Sequence, residues 1–133
     1  MVRLQREPID VAALVTVVRG DGDGAVSLFL GTVRNSNAGH RVLFLEYEAY
    51  EGMAEREMER IAQEAARLGA TRVAIVHRVG RLEIGEPSVA IAVAAPHRAE
   101  AMAACRHAID ALKASVPIWK REHRDDGTVW IDR

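Results

Sequence analysis

SVAIAVAAPHRAEA, residues 88–101, holds a change of structure and a change of chemistry. Its first eight residues are apolar and rich in Val and Ile, which predicts a strand over 88–95. Pro96 stops that run, and a helical pattern takes over at about Arg98, with His97 and Arg98 at the handover. The first N–H groups of a helix have no partner inside it and carry the positive end of its dipole. A strand-to-helix turn therefore suits an anion, and an imidazole and a guanidinium add charge and directed donors. A solvated first turn after a proline would carry the same two residues, so the rest of the chain has to separate the readings.

Downstream, the spacing predicts a helix from about Arg98 to Lys113, with Met102, Cys105, Ile109 and Leu112 on its apolar side. Ala101, Ala104, Ala108 and Ala111 lie beside that stripe, a surface that another backbone can approach closely. Pro117 forbids simple continuation, and TVWI after Asp126-Gly127 reads as a short strand. Upstream, RVAIVHRVG (72–80) is a strand, joined to the opening stretch by the hairpin-like RLEIGEP. Ala54, Met58, Ile61, Ala65 and Leu68 mark a second long amphipathic helix, closed by Gly69. VLFLEYEAY (42–50) and AVSLFLGTV (25–33) read as strands around a polar loop, RNSNAGH (34–40). Residues 8–18 can open a short helix with Asp10 as N-cap, after a GDGDG turn is allowed for at 20–24. The expected fold is α+β, a largely antiparallel sheet packed with two long helices, in one domain over residues 1–133.

At 133 residues the chain can bury a core without staples. Eighteen Lys and Arg against nineteen acids leave a net charge of −1, so no global field favours nucleic acid or an anionic membrane. Aromatics at 5% are too few for a base-stacking platform. The apolar stretches fall short of a membrane span, the start lacks the apolar core of a signal peptide, and a cytoplasmic protein is expected. A single cysteine, Cys105, excludes a disulfide framework and any multi-cysteine metal site. Cys105 itself falls on the apolar side of the last helix and reads as a core residue. His77, in a strand before Arg78, reads as structural; His40, His107 and His123 show no metal-ligand spacing, so neither a metal nor a cofactor is expected.

Cations gather at a few element ends: Arg34 within GTVRNSN, His97 and Arg98, Lys113, and Lys120 with Arg121 after VPIW. Each taken singly can be a surface charge. Lys120, however, follows Ile118-Trp119; packing beside a buried tryptophan would desolvate its ammonium and make it a plausible acid or base. Cations of this kind imply an anionic substrate. Sixteen residues of helix between His97 and Lys113 span about 24 Å, too far for one compact metabolite to touch both. Either the sites are unrelated or one pocket draws opposite helix ends from two copies of the chain.

FLGTVRNSNAG, LEYEAYEGMAE, VAIVHRVGRLEIGE, VAAPHRAEA and AIDALKASVPIWKRE, in this order, closely resemble the large, catalytic subunit of molybdopterin synthase. The resemblance covers about Leu28 to Glu122. It implies an α/β-hammerhead-like fold and conversion of cyclic pyranopterin monophosphate (precursor Z) to molybdopterin. Two sulfurs arrive on the C-terminal Gly-Gly thiocarboxylate of a small ubiquitin-like subunit, and two large subunits form the core of a heterotetramer. The family's essential lysines fall on Lys113 and Lys120. Its substrate-binding residues fall on Arg34 with Thr32 and Val33, on His97 and Arg98 from the neighbouring subunit, and on Arg121 and Glu122. A non-catalytic sensor of a phosphorylated metabolite or nucleotide would use the same cations without doing chemistry.

Overall fold

The computed structural model describes residues 1–131. In chain order its elements are β1 (Val2–Gln5), α1 (Val11–Val18), β2 (Ala25–Thr32), β3 (Ser36–Asn37), β4 (His40–Ala49), α2 (Glu51–Arg67) and β5 (Arg72–Arg78). β6 (Gly80–Glu83), β7 (Pro87–Ala95), α3 (Arg98–Ser115), β8 (Ile118–Arg124) and β9 (Gly127–Ile131) complete it. One sheet runs in the order β1-β5-β7-β2, and a second joins β3, β4, β8 and β9, with β6 also paired to β4. All pairings are antiparallel except β1 with β5. The arrangement is the expected α+β one. Among the described residues no helix is long and apolar enough to cross a membrane.

β7 explains the layering. Val89, Ile91 and Val93 project to one face and join the core cluster that includes Met58 and Ile61 of α2 and Leu112 of α3. Ala90, Ala92 and Ala94 project to the other face, where Leu14 and Val18 of α1 pack on them. A strand buried on both sides loses its polar alternation, which is why 88–95 is continuously apolar. Each buried Val or Ile contributes about 1.5–3 kcal/mol. An exposed ion pair such as Arg106–Asp110 is worth only about 0–1 kcal/mol, so β7 and its helices set the frame.

Several expectations change against this frame. In α3 the buried positions are Ala101, Ala104, Cys105, Ala108, Ile109 and Leu112, an i, i+3, i+4 stripe facing β2, β7 and α2. The alanine row is thus internal packing rather than a surface for another backbone, and Met102 is 63% exposed. In α2, Leu68 is the C-cap and exposed, while Gly69 turns the chain at φ +108°. RLEIGEP is more than a hairpin turn: β5 and β7 do pair, but β6 leaves for the second sheet and pairs with β4. β1 and β8 are strands that hydrophobic periodicity missed, because both are short or densely charged. The short helix is present, with the Asp10 carboxylate accepting from the Ala13 N–H at 3.0 Å.

Ala108 is fully buried where α3 meets the core. Ala108→Leu should lower stability by about 1–3 kcal/mol through overpacking, read as a fall in the urea midpoint at unchanged slope.

Candidate active site

The carboxyl end of β2 opens the site. Gly31 lies so close to β7 that a Cβ there would sit 2.8 Å from Val89 Cγ1, and the β2–β7 register shifts between Gly31 and Thr32. The Val33 N–H then donates to the Glu86 carbonyl at 3.0 Å, and the Gly85 N–H donates to the Val33 carbonyl at 2.8 Å. Those bonds fix the strand exit and leave Arg34 exposed, with no hydrogen bond or ion pair among the described residues. The loop that follows is a tight hairpin. Ala38 and Gly39 both take left-handed backbone, φ 51° and 81°, which turns β3 back along β4 and places Asn37 opposite His40.

β8 supplies the other wall. Successive strand residues face opposite ways, so Lys120, Glu122 and Arg124 share one face and Trp119, Arg121 and His123 the other. The Glu122 side chain is 2% exposed and fully engaged. Its Oε2 accepts from Asn37 Nδ2 at 2.7 Å, and its Oε1 accepts from Arg124 Nε at 2.9 Å. A second Arg124 nitrogen lies 2.8 Å from Oε1, and Lys120 Nζ is 3.8 Å from Oε2. A cavity of about 160 Å³ brings Arg34, Lys113, Lys120 and Glu122 together, with Thr32 and Val33 also in its lining. Lys113 reaches it from the last turn of α3.

With cations of three separate elements converging on one hollow, comparison with known proteins becomes informative. A sequence model of the family described as MoaE protein matches residues 4–115. The chain belongs to the MoaE family. The molybdopterin synthase catalytic subunit of Halalkalibacterium halodurans is 46% identical over 129 residues, 96% of this chain and 83% of that protein. A crystal structure of molybdopterin synthase from Staphylococcus aureus superposes with a TM-score of 0.91 at 40% identity, covering 96% of this chain and 94% of that one. The Helicobacter pylori complex of subunits 1 and 2 of molybdopterin-converting factor gives 0.81 at 21% identity over 97% and 88%, a likeness of fold.

Not every residue expected at the site of this MoaE protein lies there. Arg121 points away from the cavity, because it alternates with Lys120 and Glu122: its guanidinium donates to Glu46 at 2.7 Å and lies 5.0 Å from the Trp130 ring. The same parity separates Lys120 from Trp119, which is half-buried and lines a different cavity with Arg6 and Glu48. Lys120 is nonetheless sheltered, at 24% side-chain exposure, by the cavity walls rather than by the indole. His97 and Arg98 are exposed at the opposite end of α3 and do not line this cavity. His97 is the helix N-cap by backbone geometry, without a side-chain capping bond.

Sequence reasoning missed Asn37, Ser88 and Tyr47 as cavity residues, and Arg124 as the partner of Glu122. Reading KREHR as an alternating strand would have grouped Arg124 with Lys120 and Glu122. Nothing local marks Tyr47, which enters because it pairs across the sheet with Lys120.

On the outer face of β8, Arg121 above all, and then His123, hold the Glu46 carboxyl below the ordinary carboxylate range. A carboxyl with a depressed folded-state pKa stabilises the fold above its unfolded value of about 4.3, and that contribution is lost as pH falls through the depressed value. Between about pH 5 and pH 3, Glu46→Gln should therefore lose stability less steeply than the parent, as followed by chemical denaturation at each pH.

Proposed function

We propose that this chain is the catalytic subunit of a molybdopterin synthase. It converts cyclic pyranopterin monophosphate to molybdopterin by installing a dithiolene, each sulfur arriving on the C-terminal thiocarboxylate of a small partner subunit. The observation that carries this reading is the convergence of Lys113, Lys120 and Arg34 on one cavity beside Glu122. A cyclic phosphate is an anion, and opening its ring builds charge on the phosphate oxygens. Cations converging on one hollow, with Lys120 sheltered from solvent, attract such charge and stabilise it as it develops.

The chain's own thiol does not serve as the sulfur nucleophile. Cys105 is 5% exposed, and burial pushes its thiol pKa up, which disfavours the reactive thiolate. A sulfur delivered as thiocarboxylate is already anionic and needs only to be placed. Lys113, at the mouth of the cavity, pairs with that incoming carboxyl group. Lys120, deeper and beside Glu122, handles the proton as carbon gains sulfur and loses oxygen. We place the work in the cytoplasm.

His97 and Arg98 enter from a second copy. Small-molecule pockets usually span about 300–1,000 Å³, so the 160 Å³ hollow of one chain supplies only part of one. Beside it runs an exposed groove between edge strand β2 and α3, lined by Leu28, Met102 and Lys113 among others. Lys113 lies at one end of the groove between β2 and α3, and the two-fold packing of two such grooves would deliver the partner's helix start to the cavity. The assembly so formed is a dimer core with one small subunit per site, a heterotetramer.

With purified chain, precursor Z and thiocarboxylated small subunit, product is read as the oxidised fluorescent pterin. Lys113→Ala and Lys120→Ala should each abolish turnover, and a near-normal rate would remove that lysine from the mechanism. A sensor domain would bind the phosphate yet form no product and retain no small subunit.

Complementation tests the shared pocket separately. In mixed dimers of His97→Ala with Lys120→Ala chains, one of the two pockets is intact. An equal mixture that exchanges subunits freely should then recover about one quarter of parental activity. No recovery would place both residues in one chain's site.

A further inference from the structure

We infer that Asn37 and Arg124 are positioning residues for Lys120, acting through the buried carboxylate of Glu122; the inference rests on the catalytic reading above. A carboxylate buried to 2% exposure is costly unless its oxygens are satisfied. Here the two oxygens have divided their work. Oε1 accepts from Arg124 Nε at 2.9 Å, and a second Arg124 nitrogen lies 2.8 Å from the same oxygen, so the guanidinium is spent on one side of the carboxylate. Oε2 takes the Asn37 amide at 2.7 Å and faces Lys120 Nζ at 3.8 Å. That last distance is beyond a direct hydrogen bond of about 2.7–3.2 Å. Glu122 thus attracts the ammonium without seizing it.

Arg124 and Asn37 are what keep it so. Each bonds a different carboxylate oxygen, and Arg124 holds its positive charge on Oε1 while Lys120 faces Oε2. The backbone holds the clamp in place: Arg124 pairs with Val42 at the end of β8, and Asn37 is fixed by the Ala38-Gly39 hairpin. Without Arg124, the buried carboxylate would turn to the nearest remaining cation. Lys120 would be drawn into a tight pair, held more firmly as ammonium and pulled off the cavity. Of the other groups lining the cavity with Lys120, Lys113 of α3 and Arg34 after β2 carry the same charge and repel it.

The test compares the parent with Arg124→Met, Arg124→Lys and Asn37→Ala, each assembled with the small subunit. Arg124→Met should lower kcat on the order of ten- to a hundredfold with little change in KM, as expected for a displaced catalytic group. Arg124→Lys keeps the charge but not the second nitrogen beside Oε1, and should recover part of that loss. The side-chain nitrogen resonance of Lys120, followed by NMR across the alkaline range, should titrate at higher pH in Arg124→Met than in the parent. Asn37→Ala, at a half-buried turn position, should move both readouts in the same direction by less, and it carries the test if Arg124→Met does not fold. Folded Arg124→Met and Asn37→Ala proteins with parental kcat and an unmoved Lys120 titration would overturn the inference. A parent that makes no molybdopterin while its Lys120 resonance still responds to Arg124→Met would instead overturn the catalytic reading and leave the clamp standing.

Discussion

The two-sided burial of β7 is the constraint from which the rest of the molecule follows. Its odd-numbered Val and Ile side chains must be covered by α2 and α3, and its even-numbered alanines are small enough for the short α1 to lie against them. Both faces of one strand are thereby committed, so its ends are fixed in space as well as in sequence. The end at Ala95 hands the chain through Pro96 into α3, and α3 then crosses back over the sheet with no freedom to rotate, because six of its residues are buried. Lys113 reaches the cavity for that reason. Lys113 is itself exposed, and a helix less firmly packed would not hold it at the cavity rather than elsewhere on the surface, where a helix-terminal cation merely complements the dipole.

The second constraint is the two-residue period of β8. Seven residues, five of them charged or titratable, are sorted by the pleat into two networks that do not mix. Inward, Lys120, Glu122 and Arg124 build the cavity wall. Outward, Arg121 and His123 bind Glu46, while His123 stacks on Phe44 with ring centroids 4.0 Å apart. The outer network braces β8 against β4 without touching substrate space. A one-residue slip of register would exchange the two sets and dismantle both, which gives the dense outer pairing a purpose beyond surface charge.

The same parity explains what sequence alone could and could not reveal. Helices and apolar strands were legible because burial writes a period into them: Ala54, Met58 and Ile61 in α2, and the unbroken run of β7. The cationic positions Arg34, Lys113 and Lys120 were legible too, as charges at element ends and, more sharply, through the family resemblance. Charged strands were not. KREHR has no apolar alternation, so hydrophobic period is silent there, and without that parity Lys120 is expected to pack beside Trp119, which faces the other way. Buried alanines misled in the opposite direction: small residues at helical spacing serve a close neighbour equally well whether it is the chain's own sheet or another molecule. β1 escaped notice because a four-residue edge strand pairs through its backbone and needs little side-chain pattern.

Charge, finally, is distributed against the grain of the whole chain. The protein carries a net −1, yet Arg34, Lys113, Lys120 and Arg124 stand at or behind the cavity against the single carboxylate of Glu122. Such a local excess repels itself, and the low-dielectric walls that would strengthen binding also strengthen that repulsion. An anion entering the hollow would relieve it, which is how the function proposed above would draw in substrate and the incoming thiocarboxylate. Glu122, held by Arg124 and Asn37, offsets part of the repulsion and leaves an excess of cations around the cavity. A neutral residue in its place would raise the repulsion, and an unclamped carboxylate would quench the lysine. The clamp sits between those failures, and the chemistry proposed for Lys120 depends on its staying there.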